Sequence, residues 1–206
     1  MNRIYFDNAA TTALDPSVLE AMMPYLTEKF GNPSSIYSYG RESRLAIENA
    51  RKQVAKILGA HPAEIFFTSG GTEASNTAIT AAVRNLDCRH IITSAIEHHA
   101  TLHTVEYLYK HGEAALSYVK LLPNGHIDME HLEQLLAQSE EKCLVTLMHA
   151  NNEIGVVQDI GAVGHACRAR DVIFHVDAAQ SYGKLPINVE AMQIDLLSMT
   201  AHKIYG

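Results

Sequence analysis

Residues 172–180 read Val172-Ile173-Phe174-His175-Val176-Asp177-Ala178-Ala179-Gln180. A short apolar run that ends at an acid and small residues is typical of a buried strand followed by a turn. Runs of this kind recur along the chain at Ile65–Thr68, Ile91–Ser94, Leu116–Val119, Leu144–His149, Val172–Val176 and Leu196–Met199. Between them lie stretches with helical spacing of apolar residues, near 72–84, 100–111, 128–138 and 160–170. Strands that alternate with helices predict an α/β fold with a mostly parallel central sheet and helices on both faces.

Two further helices are predicted before this alternation begins. The segment 15–30 opens with Asp15-Pro16, a good N-cap and first-position pair. The segment 41–58 is amphipathic and ends at Gly59, which suits a helix C-cap. The predicted organisation is therefore an N-terminal arm over residues 1–15 and one large α/β domain over residues 16–206.

Composition narrows the function classes. The 206 residues have an ordinary globular balance, with 47% hydrophobic and 19% charged residues. A net charge of -7 without a Lys/Arg-rich run argues against nucleic acid as a partner. The absence of a signal-peptide pattern and of an apolar stretch of ~18 residues argues for a cytoplasmic protein with no membrane partner.

Cysteine and histidine spacing do not indicate a metal site. The three cysteines, Cys88, Cys143 and Cys167, lack CxxC or zinc spacing and lie in apolar or helical stretches, which favours buried structural thiols. His98 and His99 are adjacent, and no HExxH motif occurs. We expect no bound metal.

A glycine pair predicts an anion site. In Thr68-Ser69-Gly70-Gly71-Thr72-Glu73-Ala74, a strand-like run gives way to a helix through two glycines. Free N–H groups at a helix N-terminus favour an anion, and Thr72 adds a hydroxyl donor. The pattern is neither a Walker A loop nor a dinucleotide fingerprint, so a phosphate on a smaller cofactor fits best. A Ser- or Thr-capped turn is the alternative.

Other polar side chains follow predicted strands. Asp177 is either a helix cap or a buried carboxylate that holds a cation such as a protonated pyridine nitrogen, and Gln180 could reach the same ligand. Asn152 either belongs to a simple turn or projects its amide into the crevice at the strand ends. His98 is either a helix-start or surface residue, or a ring that stacks on a cofactor and exchanges protons.

The last of these clusters is Thr200-Ala201-His202-Lys203, which follows the run Ile194–Met199. Lys203 is either a solvated surface charge or an amine presented beside the anion site. Open parallel sheets place ligands at the carboxyl ends of their strands, so the clusters are predicted to converge on one edge.

Together these segments resemble the N-terminal part of a cysteine desulfurase, a pyridoxal-phosphate enzyme of the fold-type I aminotransferase superfamily. The resemblance runs essentially from end to end of the chain. It is carried by Asp7–Thr12, Phe30–Ser35, Thr68–Glu73, Glu97-His98, Asn151–Gly155, His175–Gln180 and Thr200–Gly206. The ending Thr200–Gly206 looks like the group that serves general or nitrogen-fixation iron–sulfur assembly.

The resemblance implies a role for each matching residue. Lys203 would bind the aldehyde of pyridoxal 5'-phosphate, and Asp177 would hold its pyridinium nitrogen. His98 would stack on the ring and transfer protons. Asn152 and Gln180 would contact the phenolic side, with Asn152 also reaching the substrate. The phosphate would be held by Gly71, Thr72, Thr200 and His202.

The implied activity is conversion of L-cysteine to L-alanine, with the sulfur passed to an enzyme persulfide and on to a sulfur-acceptor or iron–sulfur scaffold protein. In the family this needs a nucleophilic cysteine, a substrate-binding arginine and a small C-terminal domain, and the complete enzyme is a homodimer. This sequence has no match to that cysteine, that arginine or the small domain. The aminotransferase-like large domain is therefore expected to be incomplete at its C-terminus and the chain to be inactive alone. The alternatives are a selenocysteine lyase, an aminotransferase, or a truncated binding module without catalysis.

Overall fold

The computed structural model describes residues 3–206, so Met1 and Asn2 of the predicted arm lie outside the described residues. The chain forms two compact units, one reaching to Phe67 and including Ala201–Gly206, the other spanning Thr68–Thr200. No helix in the described part of the chain is long and apolar enough to cross a membrane. The helices are α1 (Pro16–Thr27), α2 (Ser38–Leu58), α3 (Gly71–Arg84), α4 (His99–Lys110), α5 (Met129–Gln138) and α6 (Ile160–Arg168).

The second unit contains a five-stranded, wholly parallel sheet in the order β2-β1-β3-β4-β5. Its strands are β1 (His90–Ser94), β2 (Ala115–Val119), β3 (Cys143–Met148), β4 (Ile173–Asp177) and β5 (Leu196–Ser198). All six residues of β3 are buried, as expected for a central strand covered on both faces. Successive strands are added toward one edge from β1 to β2 and toward the other edge from β3 to β5, so the strand order reverses between β1 and β3. A crevice opens at the carboxyl ends of strands at such a point.

The sheet face under α3 and α4 changes character along the strands. Near the amino ends it is apolar, where Ile91 and Leu144 join the buried cluster formed with Ile79, Val83 and Val105 of the two helices. Two residues further along each strand, on the same face, the side chains become polar. These are Thr93, Thr146, His175 and Ser198, all buried. The apolar half anchors the helices, and the polar half leads toward the carboxyl edge.

The predicted α/β class, with a mostly parallel sheet, is confirmed, and five of the six predicted strands are present. The prediction of a strand at Ile65–Thr68 is wrong. Ile65 has extended backbone (φ -95°, ψ 124°), but its carbonyl accepts a hydrogen bond from the Arg51 guanidinium instead of a ladder N–H. No strand of the described residues pairs with this segment, and an apolar run without a pairing partner is not a strand.

The first unit carries the two predicted N-terminal helices. The Asp15 side chain caps α1 through the Ser17 N–H, and Gly59 ends α2 with φ +70°, in the left-handed region that glycine tolerates. Residues 3–15 contain neither helix nor strand. Within the same unit, Thr12 ties this arm to the chain end, because its N–H and hydroxyl both donate to the His202 carbonyl, at 2.8 and 2.9 Å.

Candidate functional site

The N-terminus of α3 is open toward solvent. No side chain among the described residues caps it, whereas Asp15, His98, Asp128 and Asp159 cap other helices. The carboxylate of Glu73 instead accepts from the Ser69 N–H at 2.6 Å and holds the preceding loop. Hydrogen bonds from the Ser69 side chain and backbone lower the pKa of Glu73. Gly71 and Thr72 therefore lie at a helix N-terminus, where free N–H groups and the helix dipole favour an anion.

Thr200 lies directly beside this helix end. A Cβ placed on Gly71 would lie 3.6 Å from the Thr200 Cβ and 3.8 Å from the Met199 carbonyl oxygen. Because Gly71 has no Cβ, the space that a methyl group would occupy between the helix N-terminus and the Thr200 side chain stays open. The structure thus brings together Gly71, Thr72 and Thr200, three of the predicted phosphate-binding residues.

Asp177 ends β4 as a buried carboxylate, with 8% of its surface exposed. One of its oxygens accepts from the Ala179 N–H at 2.9 Å, so it also organises the turn that leads to the half-buried Gln180. The carboxylate thus caps a turn rather than the predicted helix, and it is buried at the carboxyl edge of the sheet. A buried carboxylate at this edge is suited to hold a cationic group.

Glu97 is a second buried carboxyl group at this edge, and the sequence analysis gave it no role. It is 6% exposed and accepts a 2.5 Å hydrogen bond from the buried Ser94 hydroxyl. Its Oε2 has no hydrogen-bond partner among residues 3–206. Desolvation, together with the negative charge of Asp177, raises the pKa of Glu97 to about 8 against opposing hydrogen bonds from Ser94 and Met148. Glu97 is consequently mostly protonated at neutral pH and adds little negative charge near Asp177.

His98 and Asn152 are not buried, and their side chains make local hydrogen bonds. His98 is exposed and caps α4, because its Nδ1 accepts from the Ala100 N–H at 3.1 Å. The Asn152 amide donates to the Glu153 carboxylate at 2.6 Å. The neighbouring Asn151 is the buried residue that shapes this loop, donating to the Ile96 carbonyl at 2.8 Å and accepting from two N–H groups of the turn. The sequence signal that could have identified Asn151 is its position just after a predicted strand, directly before Asn152.

Lys203 and His202 belong to the first unit. Lys203 is half-buried within the turn that follows Ala201, where the Ile204 N–H donates to the Ala201 carbonyl at 2.9 Å. His202 is exposed, and its Nδ1 lies 3.1 Å from the Thr11 hydroxyl. The arm residues Thr11 and Thr12 thus order the lysine-bearing turn, which sequence reasoning had not assigned to them.

The three cysteines do not offer a reactive thiol. Cys88, Cys143 and Cys167 are all buried and free. Burial raises the pKa of Cys88, and it raises the pKa of Cys143 and of Cys167 to about 12. Nucleophilic cysteines are thiolates at neutral pH and are reached by solvent. The prediction that these are structural thiols is confirmed.

The second unit fits the recognition elements of pyridoxal phosphate. An open helix end with adjacent space beside Thr200 suits the phosphate, and the buried Asp177 carboxylate suits a protonated ring nitrogen. These features define the class: an α/β protein with a parallel sheet, an open helix N-terminus and a buried carboxylate at the carboxyl edge of that sheet.

The chain belongs to the aminotransferase class-V family, whose model matches residues 4–206. It is 49% identical over 209 residues to a mitosomal cysteine desulfurase of Trachipleistophora hominis, covering 99% of this chain and 47% of the relative. The chain spans about half the length of the curated relatives it matches.

Solved structures agree in fold. A NifS-like protein superposes with a TM-score of 0.94 at 41% identity, covering 100% of this chain and 56% of the other. A structure described as SspA in complex with cysteine gives a TM-score of 0.92 at 39% identity, covering 99% of this chain and 58% of that one. The predicted resemblance to cysteine desulfurases and the aminotransferase-like fold are thereby confirmed.

Proposed function

We propose that this chain is the cofactor-binding part of a cysteine desulfurase that uses pyridoxal 5'-phosphate and releases alanine from L-cysteine. One observation carries the proposal: an open helix N-terminus, the Thr200 cradle and a buried Asp177 occur together in a chain about half identical to a cysteine desulfurase. Pyridoxal phosphate, when bound, supplies an electron sink that weakens the bonds at the α-carbon of an amino acid.

Different residues of the chain are proposed to bind the phosphate and the ring nitrogen of the cofactor. The N–H groups at Gly71 and Thr72, with the Thr200 hydroxyl, would bind the phosphate, and His202 is proposed for the same group. The Asp177 carboxylate would keep a ring nitrogen protonated. Glu97 supports this role, because a mostly neutral Glu97 adds little negative charge near Asp177.

The remaining roles concern protons and substrate. The Lys203 amine would hold the cofactor aldehyde and move a proton at the substrate α-carbon. His98 would pack against the ring and exchange protons, and Asn152 and Gln180 would donate to its phenolic side. Asn152 would also contact the substrate. The SspA structure is described with cysteine, which supports cysteine as the substrate class.

The sulfur acceptor lies outside the three buried thiols. Attack on the substrate sulfur requires a thiolate, and burial holds Cys143 and Cys167 protonated up to about pH 12. The acceptor thiol is therefore proposed to be a cysteine other than these three. The complete enzyme is proposed to be a homodimer. The persulfide would then pass to a sulfur-acceptor or iron–sulfur scaffold protein.

The test measures cysteine-dependent alanine and persulfide in the protein expressed from its complete reading frame. Lys203→Ala is expected to abolish both products, whereas Lys184→Ala, a change at an exposed lysine, is the matched control. Consumption of a keto acid as an obligatory co-substrate would instead identify an aminotransferase, and the proposal would fall.

A further inference from the structure

A chain of buried hydroxyl and imidazole groups crosses the sheet beneath α3. His175 is fully buried, with its Nδ1 2.8 Å from the Thr146 Oγ1 and its Nε2 3.2 Å from the Ser198 Oγ. The Ser198 Oγ is in turn 2.8 Å from the Ser75 Oγ of α3. Thr93 extends the chain on the other side by donating to the Thr146 carbonyl at 3.0 Å. The network therefore links four strands and one helix.

Such a network is not needed for packing alone. A buried imidazole loses its hydration, and here burial lowers the pKa of His175 to about 4, so the ring is neutral with one donor and one acceptor nitrogen. Both nitrogens have hydroxyl partners. An apolar layer of similar volume could fill the same space, but it would not impose a direction or a register.

The network fixes how far α3 lies along β5, that is, which residues of the helix contact which residues of the strand. Ser75 is four residues after Gly71, or about 6 Å along a helix. Ser198, the last residue of β5, is two residues before Thr200, which is about 7 Å in an extended chain. The hydrogen bond between Ser75 and Ser198 and the close approach of Gly71 to Thr200 are thus two successive contacts between the same two elements.

We propose that His175 is a positioning residue that, through Ser198 and Ser75, fixes the N-terminus of α3 against Thr200 and so sets the phosphate-binding geometry. The proposal rests on the proposed function, since it concerns how the same site recognises the cofactor's phosphate. His175 touches neither cofactor nor substrate in this role. Its effect is carried by the buried serine pair.

The experiment compares two probes, pyridoxal 5'-phosphate and pyridoxal, which lacks the phosphate. Their Kd values are measured by titration calorimetry on the protein expressed from its complete reading frame. Ser75→Ala and His175→Leu are expected to weaken binding of pyridoxal phosphate about tenfold. This is the effect expected when one or two hydrogen bonds to the phosphate are lost because their donors are misplaced. Binding of pyridoxal should change less than twofold.

Two further variants separate positioning from folding. His175→Gln keeps an amide near the Nε2 position and is expected to recover part of the lost preference for the phosphorylated probe. The control is Thr101→Val in α4, which removes a buried hydroxyl without a hydrogen-bond partner among the described residues. It should leave the ratio of the two Kd values unchanged.

The outcomes distinguish the inference from the proposed function. An unchanged ratio of the two Kd values in Ser75→Ala or in His175→Leu would overturn the positioning role. A wild-type protein that binds pyridoxal as tightly as pyridoxal phosphate would instead overturn the proposed phosphate site itself. Near-ultraviolet circular dichroism establishes that each variant is folded before titration.

Discussion

Replacing Glu97 with glutamine should flatten the dependence of stability on pH in the neutral range. Glu97 has a pKa of about 8 in the folded protein, mainly from desolvation, against an ordinary value of 4.5. Between these values the folded state holds a proton that the unfolded state has released. Stability from this group is therefore complete below about pH 4.5 and is lost as pH rises through about 8.

The structure sets the size of the effect. Each pH unit inside that window changes the free energy of unfolding by about 1.4 kcal/mol, so the wild type should lose about 2 kcal/mol between about pH 6.5 and 8. Burial lowers the pKa of His175 and of His149, so the stability those groups provide is lost on the acid side as pH falls. His90 has a lowered pKa for the same reason. Above about pH 7 these imidazoles are mostly neutral in both states, so the slope there reports mainly on Glu97.

The assay is urea unfolding followed by far-ultraviolet circular dichroism at several pH values. The readout is the slope with pH, because an unpaired glutamine amide can shift absolute stability by a constant. Glu97→Gln should show little slope over this range, while the exposed-site control Glu140→Gln should match the wild type. An undiminished slope in Glu97→Gln would refute the assignment of a buried, protonated carboxyl.

Two glycine pairs give further predictions. In α6, a Cβ on Gly164 would overlap the Met192 carbonyl oxygen, whereas one on Gly161 would meet nothing nearer than 3.5 Å. Gly164→Ala should lower the free energy of unfolding by about 1–3 kcal/mol, and Gly161→Ala should leave it unchanged or raise it by up to ~1 kcal/mol, as measured by urea unfolding. At the anion site, Gly71→Ala should leave stability nearly unchanged but weaken pyridoxal phosphate binding about tenfold in calorimetry, because its methyl group fills the cradle. Gly70→Ala, with nothing within 4 Å of its Cβ, should bind like the wild type; equal affinities for both variants would count against the cradle.

The fold could be predicted because each element carries its own signal. The run at 172–176 is apolar, ends at an acid and is followed by small residues, and it forms β4. The run at Ile65–Thr68 has the same local signal, but no strand among residues 3–206 pairs with it. Pairing is a property of the tertiary structure, so local pattern alone could not separate the two cases.

The site was predictable to the level of strand ends, but the supporting residues were not. Gly71 begins α3 and Asp177 ends β4, and glycines or polar residues at such element ends are visible in a sequence. His175 and Ser198 lie inside strands, and their partners are 29 and 123 residues away along the chain. Only the register of neighbouring strands reveals that they form one network.

The most direct test of the account is to map where pyridoxal phosphate attaches. The protein from the complete reading frame is incubated with the cofactor, reduced with borohydride, digested and analysed by peptide mass spectrometry. One modified residue is expected, Lys203, with no stable adduct in Lys203→Ala. Stoichiometric modification of another lysine, or an equal yield of adduct in that variant, would contradict it.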